Sequence, residues 1–160
     1  MNPWQEAEQQ LARLIGGCVV DDLVLQYKDI DVVTENFSYS VKWQSLVYKY
    51  NSILFETKLI NSSNGNTTVG SFGVCEADRY AIKWVDANNK YVWAIFDTTS
   101  LKEIINNGDW AKQYTNRNTA KANRADGRVY DSTEMVRIPP NTIINSDAFI
   151  TGINTDQYKD

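Results

Sequence analysis

A chain of 160 residues, 42% hydrophobic and 12% aromatic, is long enough to bury a core without disulfides or structural metals and too apolar to be a disordered segment. Its net charge of −4 argues against a protein that coats nucleic acid through a broad cationic surface, although a small footprint remains open. Histidine is absent, which excludes Ser-His-Asp triads, Cys-His pairs, HExxH zinc helices and any imidazole base. Hydrolytic chemistry in this chain would fall to carboxylates, lysines and an oxygen-liganded metal.

The first element predicted is an amphipathic helix over Pro3–Ile15. Proline suits its first position, and Trp4, Ala7, Leu11 and Leu14 recur at three- and four-residue spacing, with Ile15 widening the stripe. Glu6 and Glu8 favour the N-terminal end of the dipole, and Gly16-Gly17 stops the helix. No basic segment followed by an apolar block precedes it, so the start does not read as a signal peptide. No apolar run approaches the ~20 residues of a membrane span. Cys18 and Cys75 lie far apart without a CxxC partner, so a reducing cytoplasm is the expected compartment, with a single bridge as the other reading.

Residues 18–26 are predicted as a strand, or a bent pair of short strands, interrupted at Asp21-Asp22. Three strands follow. Residues 30–34 are β-branched and apolar around Asp31. Residues 39–44 alternate, with Tyr39, Val41 and Trp43 on one face and Ser40, Lys42 and Gln44 on the other. Ile53–Ile60 alternates again, with Ile53, Phe55, Thr57 and Leu59 opposite Leu54, Glu56 and Lys58. Ionisable groups thus collect on the polar faces of what read as central strands. A turn near Glu35-Asn36 and a Tyr/Asn-rich connection over residues 48–52 join them.

Residues 61–68 read as a polar loop. Ala77, Tyr80, Ala81 and Trp84 recur at helical spacing, while residues 80–85 are equally compatible with a strand. Asn88-Asn89 is a turn, and residues 91–96 are a strand buried on both faces. Residues 97–100 offer N-caps to a helix over 101–105 that ends near Gly108. Residues 110–126 are polar and Asn-rich and read as loop. Within 112–128 the cations Lys112, Arg117, Lys121, Arg124 and Arg128 outnumber the single acid Asp126, which suits either a solvated loop or contact with phosphates. Residues 135–138 form a short strand that Pro139-Pro140 terminates, and residues 142–153 a final packed segment. No repeat or second domain is visible, so residues 1–160 are expected to form one domain.

The order helix, strands bearing an acid and then a lysine, helix, strand resembles the core of the PD-(D/E)xK, or restriction-endonuclease-like, nuclease superfamily over roughly residues 3–105. In that superfamily an Asp opens the second core strand and the third carries an acid-x-Lys triplet. Asp31 matches the first element. Ser40-Val41-Lys42 matches the second in position, with Ser40 where the acid belongs and Gln44 where a polar residue often follows. The missing carboxylate is supplied either by Glu56 on the next strand or by a shift of the triplet to Glu56-Thr57-Lys58. The first keeps Lys42 and Gln44 in register and is adopted here. Some phage-encoded members look similar further on, with a strand ending in an acid, a polar loop, a Gly-containing turn at Ser71-Phe72-Gly73, and an Ala-Asp pair, Ala77-Asp78, opening a helix.

The resemblance implies an α/β fold, a restriction-endonuclease-like core with a central mixed β-sheet flanked by helices. It also implies a DNA nuclease using Mg²⁺ or Mn²⁺, with Asp31 and Glu56 as metal ligands, Lys42 assisting and Gln44 positioning. Lys58 takes the lysine's role under the second choice of triplet. DNA is the implied partner, and a homodimer the arrangement that would let both strands be cut. Two other readings remain open. One is a non-catalytic module that binds nucleic acid or protein on a degenerate nuclease fold. The other is an acidic interaction protein whose strand charges are only surface.

Overall fold

The computed structural model of the chain describes residues 1–123 and 126–160, and of residues 117–121 the backbone alone. Helix α1 spans Pro3–Ile15, as its spacing predicts. Asn2 accepts the Gln5 N–H at 2.9 Å while the Gln5 side chain accepts the Asn2 N–H, a reciprocal cap that satisfies two otherwise orphaned donors. Gly16 ends the helix at φ 69°, where a side chain would be strained. Ala7, Leu11 and Ala12 are buried, but Trp4 and Leu14, at the ends of the apolar stripe, are exposed.

The predicted strand over residues 18–26 is instead a two-residue strand β1, Cys18–Val19, followed by a short helix α2, Leu23–Tyr27. Asp22 accounts for the switch, because its carboxylate accepts the N–H groups of Val24 and Leu25 and so begins a helical turn. The chain continues through β2 (Val32–Val33), β3 (Ser38–Trp43), α3 (Val47–Tyr50), β4 (Ile53–Ile60), β5 (Thr67–Val69) and α4 (Ser71–Val74). It then forms β6 (Arg79–Val85), β7 (Tyr91–Asp97), α5 (Thr98–Asn107), β8 (Ala111–Ala122), β9 (Val129–Ile138), α6 (Pro140–Ile144) and β10 (Phe149–Ile153), with a last 3₁₀ turn at Asp156–Tyr158.

The strands form two sheets. A mixed sheet runs β1-β2-β3-β6-β7-β10, and an antiparallel sheet runs β5-β4-β9-β8. Within the mixed sheet only β3 and β6 are parallel, with Lys42 opposite Ile82 and Trp43 opposite Lys83. A parallel pair requires a long crossover, and here that crossover builds β4 and β5 of the second sheet before the chain returns as β6. Tyr80, Ile82, Trp84, Val92, Ala94 and Phe96 of the mixed sheet share one core with Ile53, Phe55, Val136 and Ile138 of the second. Leu101 and Ile105 of α5 and Ile143 and Ile144 of α6 close that core. On the opposite face of the mixed sheet, Ala7 and Leu11 of α1 pack on Val32, Tyr39, Val41, Ala81 and Trp93. Among the described residues no helix is long and apolar enough to cross a membrane.

Two further expectations are corrected. Residues 110–126 contain strand β8 rather than loop, since pairing with β9 from Ala111↔Arg137 to Asn116↔Ser132 satisfies its backbone. Its position at a sheet edge lets its polar side chains stay solvated. Residues 76–84 are not helical, and Ala77-Asp78 opens no helix. β6 lies between β3 and β7, and its run Tyr80–Trp84 is buried continuously, so pairing on both edges overrides the weak helical spacing. Asp78 instead ties the starts of β6 and β3 together, accepting the Ser38 N–H at 2.9 Å while its own N–H is donated to Ser38 Oγ.

Candidate functional site

Alternation along β3 sends Val41 toward α1 and turns Ser40 and Lys42 to the other side. Lys42 Nζ donates to Asp29 Oδ1 at 2.6 Å, and Ser40 Oγ donates to Asp29 Oδ2 at 2.8 Å. The side chains of Lys42 and Asp29 are 23% and 16% exposed, so the pair is shielded enough for its charge to matter yet still open to solvent. Asp29 ends the turn after α2 at φ 59°, a left-handed conformation that Asp tolerates better than most residues. The ring of the buried Tyr80 lies 5.8 Å from Lys42 Nζ.

Asp31, immediately before β2, accepts the Val41 N–H at 2.7 Å through Oδ2. Burial pushes its pKa above the ordinary carboxylate range, the Val41 N–H and Lys42 pull it partly back, and the neighbouring Asp29 adds to the rise. Glu8 of α1 is also raised, first by burial and then by Asp31, with Lys42 opposing. For Lys42, burial works to lower the pKa. The charge and hydrogen bond of Asp29, helped by Asp31, outweigh it, and the net shift is upward. The lysine is therefore held protonated, with carboxylates from the α2–β2 turn and from α1 around it.

Glu56 of β4 approaches from the second sheet. It lines a cleft of about 430 Å³ together with Lys42, Gln44 and Tyr80. It also lines a neighbouring cleft of about 320 Å³ with Asp29, Gly70 and Ser71. Ser71 donates its N–H to Glu56 Oε1 at 3.3 Å. Gln44 ties the two sheets at this point. Its Nε2 donates to the Leu54 carbonyl at 2.7 Å and its Oε1 accepts the Leu54 N–H at 2.9 Å, so a side-chain amide stands in for a strand partner.

Of the residues expected to converge, Lys42, Gln44 and Glu56 therefore line one cleft. Asp31 is coupled to Lys42 electrostatically but lines neither cleft, and the acid that shares a cleft with Glu56 is Asp29. Lys58 lies elsewhere. A β-bulge between Glu56 and Lys58 shifts the register, so that Glu56 pairs with Met135 and Lys58 with Glu134. Lys58 faces a third cleft with Lys112 and Glu134. In the basic stretch, Lys112 Nζ is 4.0 Å from Glu134 Oε1 with its side chain half exposed, and Arg128 is exposed. The side chains of Arg117 and Lys121, and all of Arg124, lie outside the described residues.

Asp29 and Glu8 were not singled out by the sequence reading. The signal for Asp29 was its i, i+2 relation to Asp31 in the triplet Asp29-Ile30-Asp31. Glu8 is indistinguishable in sequence from a solvated helix acid. Among the described residues no group of three or more acidic or cysteine side chains stands ready as a complete metal shell. Magnesium commonly keeps several waters and takes only one or two protein carboxylates, and Asp29 and Glu56, which line one cleft, are donors of that chemical type. No protein-family model, curated protein or solved structure matches the chain.

Proposed function

We propose that the chain is a metal-dependent nuclease that hydrolyses phosphodiester bonds of DNA, on a restriction-endonuclease-like core. What carries the reading is the contact of one carboxylate, Asp29, with both Ser40 and Lys42. Ser40 stands where the acid-x-Lys triplet of the resembled family has its acid, and Asp29, from the turn before β2, offers a carboxylate within hydrogen-bonding distance of both Ser40 and Lys42. The order of elements supports the same reading. After α1 and the short β1 and α2, one sheet takes β2, with Asp31 immediately before it, then β3 with Lys42, and after the crossover through β4, β5 and α4, β6.

In this mechanism Asp29 and Glu56, which share a cleft, would hold a divalent cation, with Asp31 behind Lys42 as the remaining acid. Bound there, such a cation would polarise a phosphoryl oxygen of the substrate and lower the pKa of a coordinated water. Lys42, kept protonated by Asp29, faces the charge that builds on the phosphate and orients the attacking water. Gln44 acts through Leu54, holding β4 and hence Glu56 beside β3. The free thiols, Cys18 exposed and Cys75 buried, suit a reducing cytoplasm.

The second reading, a binding module without catalysis, draws on the same Lys42–Asp29 pair, which in a degenerate site would be purely structural. Incubating plasmid DNA with the protein and Mg²⁺ or Mn²⁺ decides between them. Nicking that stops with chelator and in Asp29→Ala and Lys42→Ala variants supports the nuclease. Retention of DNA by a folded protein without nicking favours the module.

A further inference from the structure

The cleft that holds Lys42 and Glu56 extends well beyond them. Register pairs Leu54 with Arg137 and Glu56 with Met135, while Gln113 of β8 stands opposite Met135. These side chains share one face of the second sheet, and all line the cleft. Their neighbours in sequence, Ile53, Phe55, Val136 and Ile138, are turned into the core. The other wall is aromatic. Trp4, 56% exposed at the start of α1, and Tyr50, 52% exposed at the end of α3, both line it, as does Trp43 at the end of β3.

Arg137 is half-buried in this cleft, its backbone paired in the sheet, and among the described residues its guanidinium makes no hydrogen bond or ion pair. Large exposed rings beside an arginine without a protein partner, in a concave site, are what flat aromatic ligands carrying negative charge require. Trp43 is already committed, with Lys83 Nζ 5.4 Å from its ring centroid and reaching the Tyr91 ring at 4.0 Å. Among the described residues Trp4 has no such ring or cation partner, and the Tyr50 ring has a single cation beside it, Lys49 Nζ of its own short helix at 5.3 Å, with the ring itself still 52% exposed.

We infer that this cleft binds an unpaired nucleotide, with Trp4 and Tyr50 offering ring faces to its base, Arg137 meeting a phosphate and Gln113 an edge of the base. The substrate is thus single-stranded nucleic acid, or the unpaired end of a duplex. A base within a stacked duplex has no free face to present, whereas a single strand can offer one base after another. Stacking of this kind tolerates any base, so little sequence preference is expected. The net charge of −4 agrees with a short footprint rather than a long duplex track. This inference rests on the nuclease reading for the position of the scissile phosphate, at the Lys42 and Glu56 end of the cleft, but its binding component is testable alone.

The test is fluorescence anisotropy with a labelled single-stranded 12-nucleotide DNA and with the matching blunt duplex, in EDTA so that nothing is cut. The single strand should bind more tightly than the duplex. Trp4→Ala, Tyr50→Ala and Arg137→Gln should each weaken it about tenfold with unchanged thermal melts, all three positions being outside the core. Equal affinity for duplex and single strand overturns the inference, as do variants that bind the single strand like wild type, or no binding of either form. Single-strand binding that depends on these residues, without cleavage in Mg²⁺ or Mn²⁺, upholds the cleft and overturns the nuclease. Cleavage of a duplex that ignores all three substitutions does the reverse.

Discussion

The side-chain amide of Gln44 hydrogen-bonds both the N–H and the C=O of Leu54, at 2.9 and 2.7 Å. This one contact couples the strand that bears Lys42 to the strand that bears Glu56. A Gln44→Leu variant preserves volume but leaves both backbone groups of Leu54 without their partner, at a cost of about 1–3 kcal/mol. Thermal melts should show that loss. Cleavage should fall further than the lost stability explains, because Glu56 is then no longer held beside Lys42. A variant that melts lower but cuts DNA as well as wild type would confine Gln44 to a structural role.

Asp31 titrates in a direction that has a measurable consequence. Its folded pKa lies above the unfolded value, chiefly through burial. Its contribution to stability is therefore full below the unfolded carboxylate pKa and is lost as pH rises through the folded one. At neutral pH the ionised carboxylate weighs against folding. Asp31→Asn keeps an oxygen for the Val41 N–H and removes the charge. The variant should melt higher than wild type at pH 7, by about 0.5–2 kcal/mol in stability, the gap should close near pH 3, and cleavage should drop. An equal or lower melting temperature at pH 7 would contradict this.

Cys75 beside Asp29 should be unreactive. Burial first and the Asp29 charge second push its thiol up to about 11, so almost no thiolate exists at neutral pH. Cys18 is exposed. A maleimide at pH 7.5 should label one thiol per folded chain and a second only in denaturant, with peptide mapping assigning the first label to Cys18.

Gly70 is needed for a close approach. A Cβ at this position would stand 2.6 Å from the Glu56 carbonyl oxygen and 2.9 Å from Glu56 Cγ, while the Gly70 N–H is donated to the Thr57 carbonyl. Gly70→Ala should therefore displace Glu56 and destabilise the β4–α4 junction by about 1–3 kcal/mol. Cleavage should be lost more completely than in an exposed glycine substitution such as Gly65→Ala, made as the comparison.

Much of this architecture was legible in the residues. The glycine stop and spacing of α1, the alternation of β3 and β4 and the apolar run of β7 depend on local patterns, which a sequence displays directly. Strand β8 was not legible, because a polar edge strand looks like loop until its partner β9 is in place. β6 was ambiguous, since a strand buried on both faces loses the alternation that identifies it. At the candidate site, Lys42 and Glu56 could be read from their strands. Asp29 left only its nearness to Asp31 as a signal, because its role comes from a left-handed turn that aims its carboxylate at Ser40 and Lys42. The separation of Lys58 from Glu56 follows from a bulge, which no period-two pattern reveals.

The most direct test of the Asp29–Lys42–Glu56 centre is single-turnover cleavage of an end-labelled DNA in saturating Mg²⁺ or Mn²⁺. Wild type should be compared with Asp29→Asn, Lys42→Ala and Glu56→Gln proteins shown by circular dichroism to be folded. Cleavage by wild type with a loss of at least about a hundredfold in each variant, as for removal of a principal electrostatic group, is the predicted result. Folded wild type that leaves the DNA intact, or variants that cut it at the wild-type rate, would contradict the account.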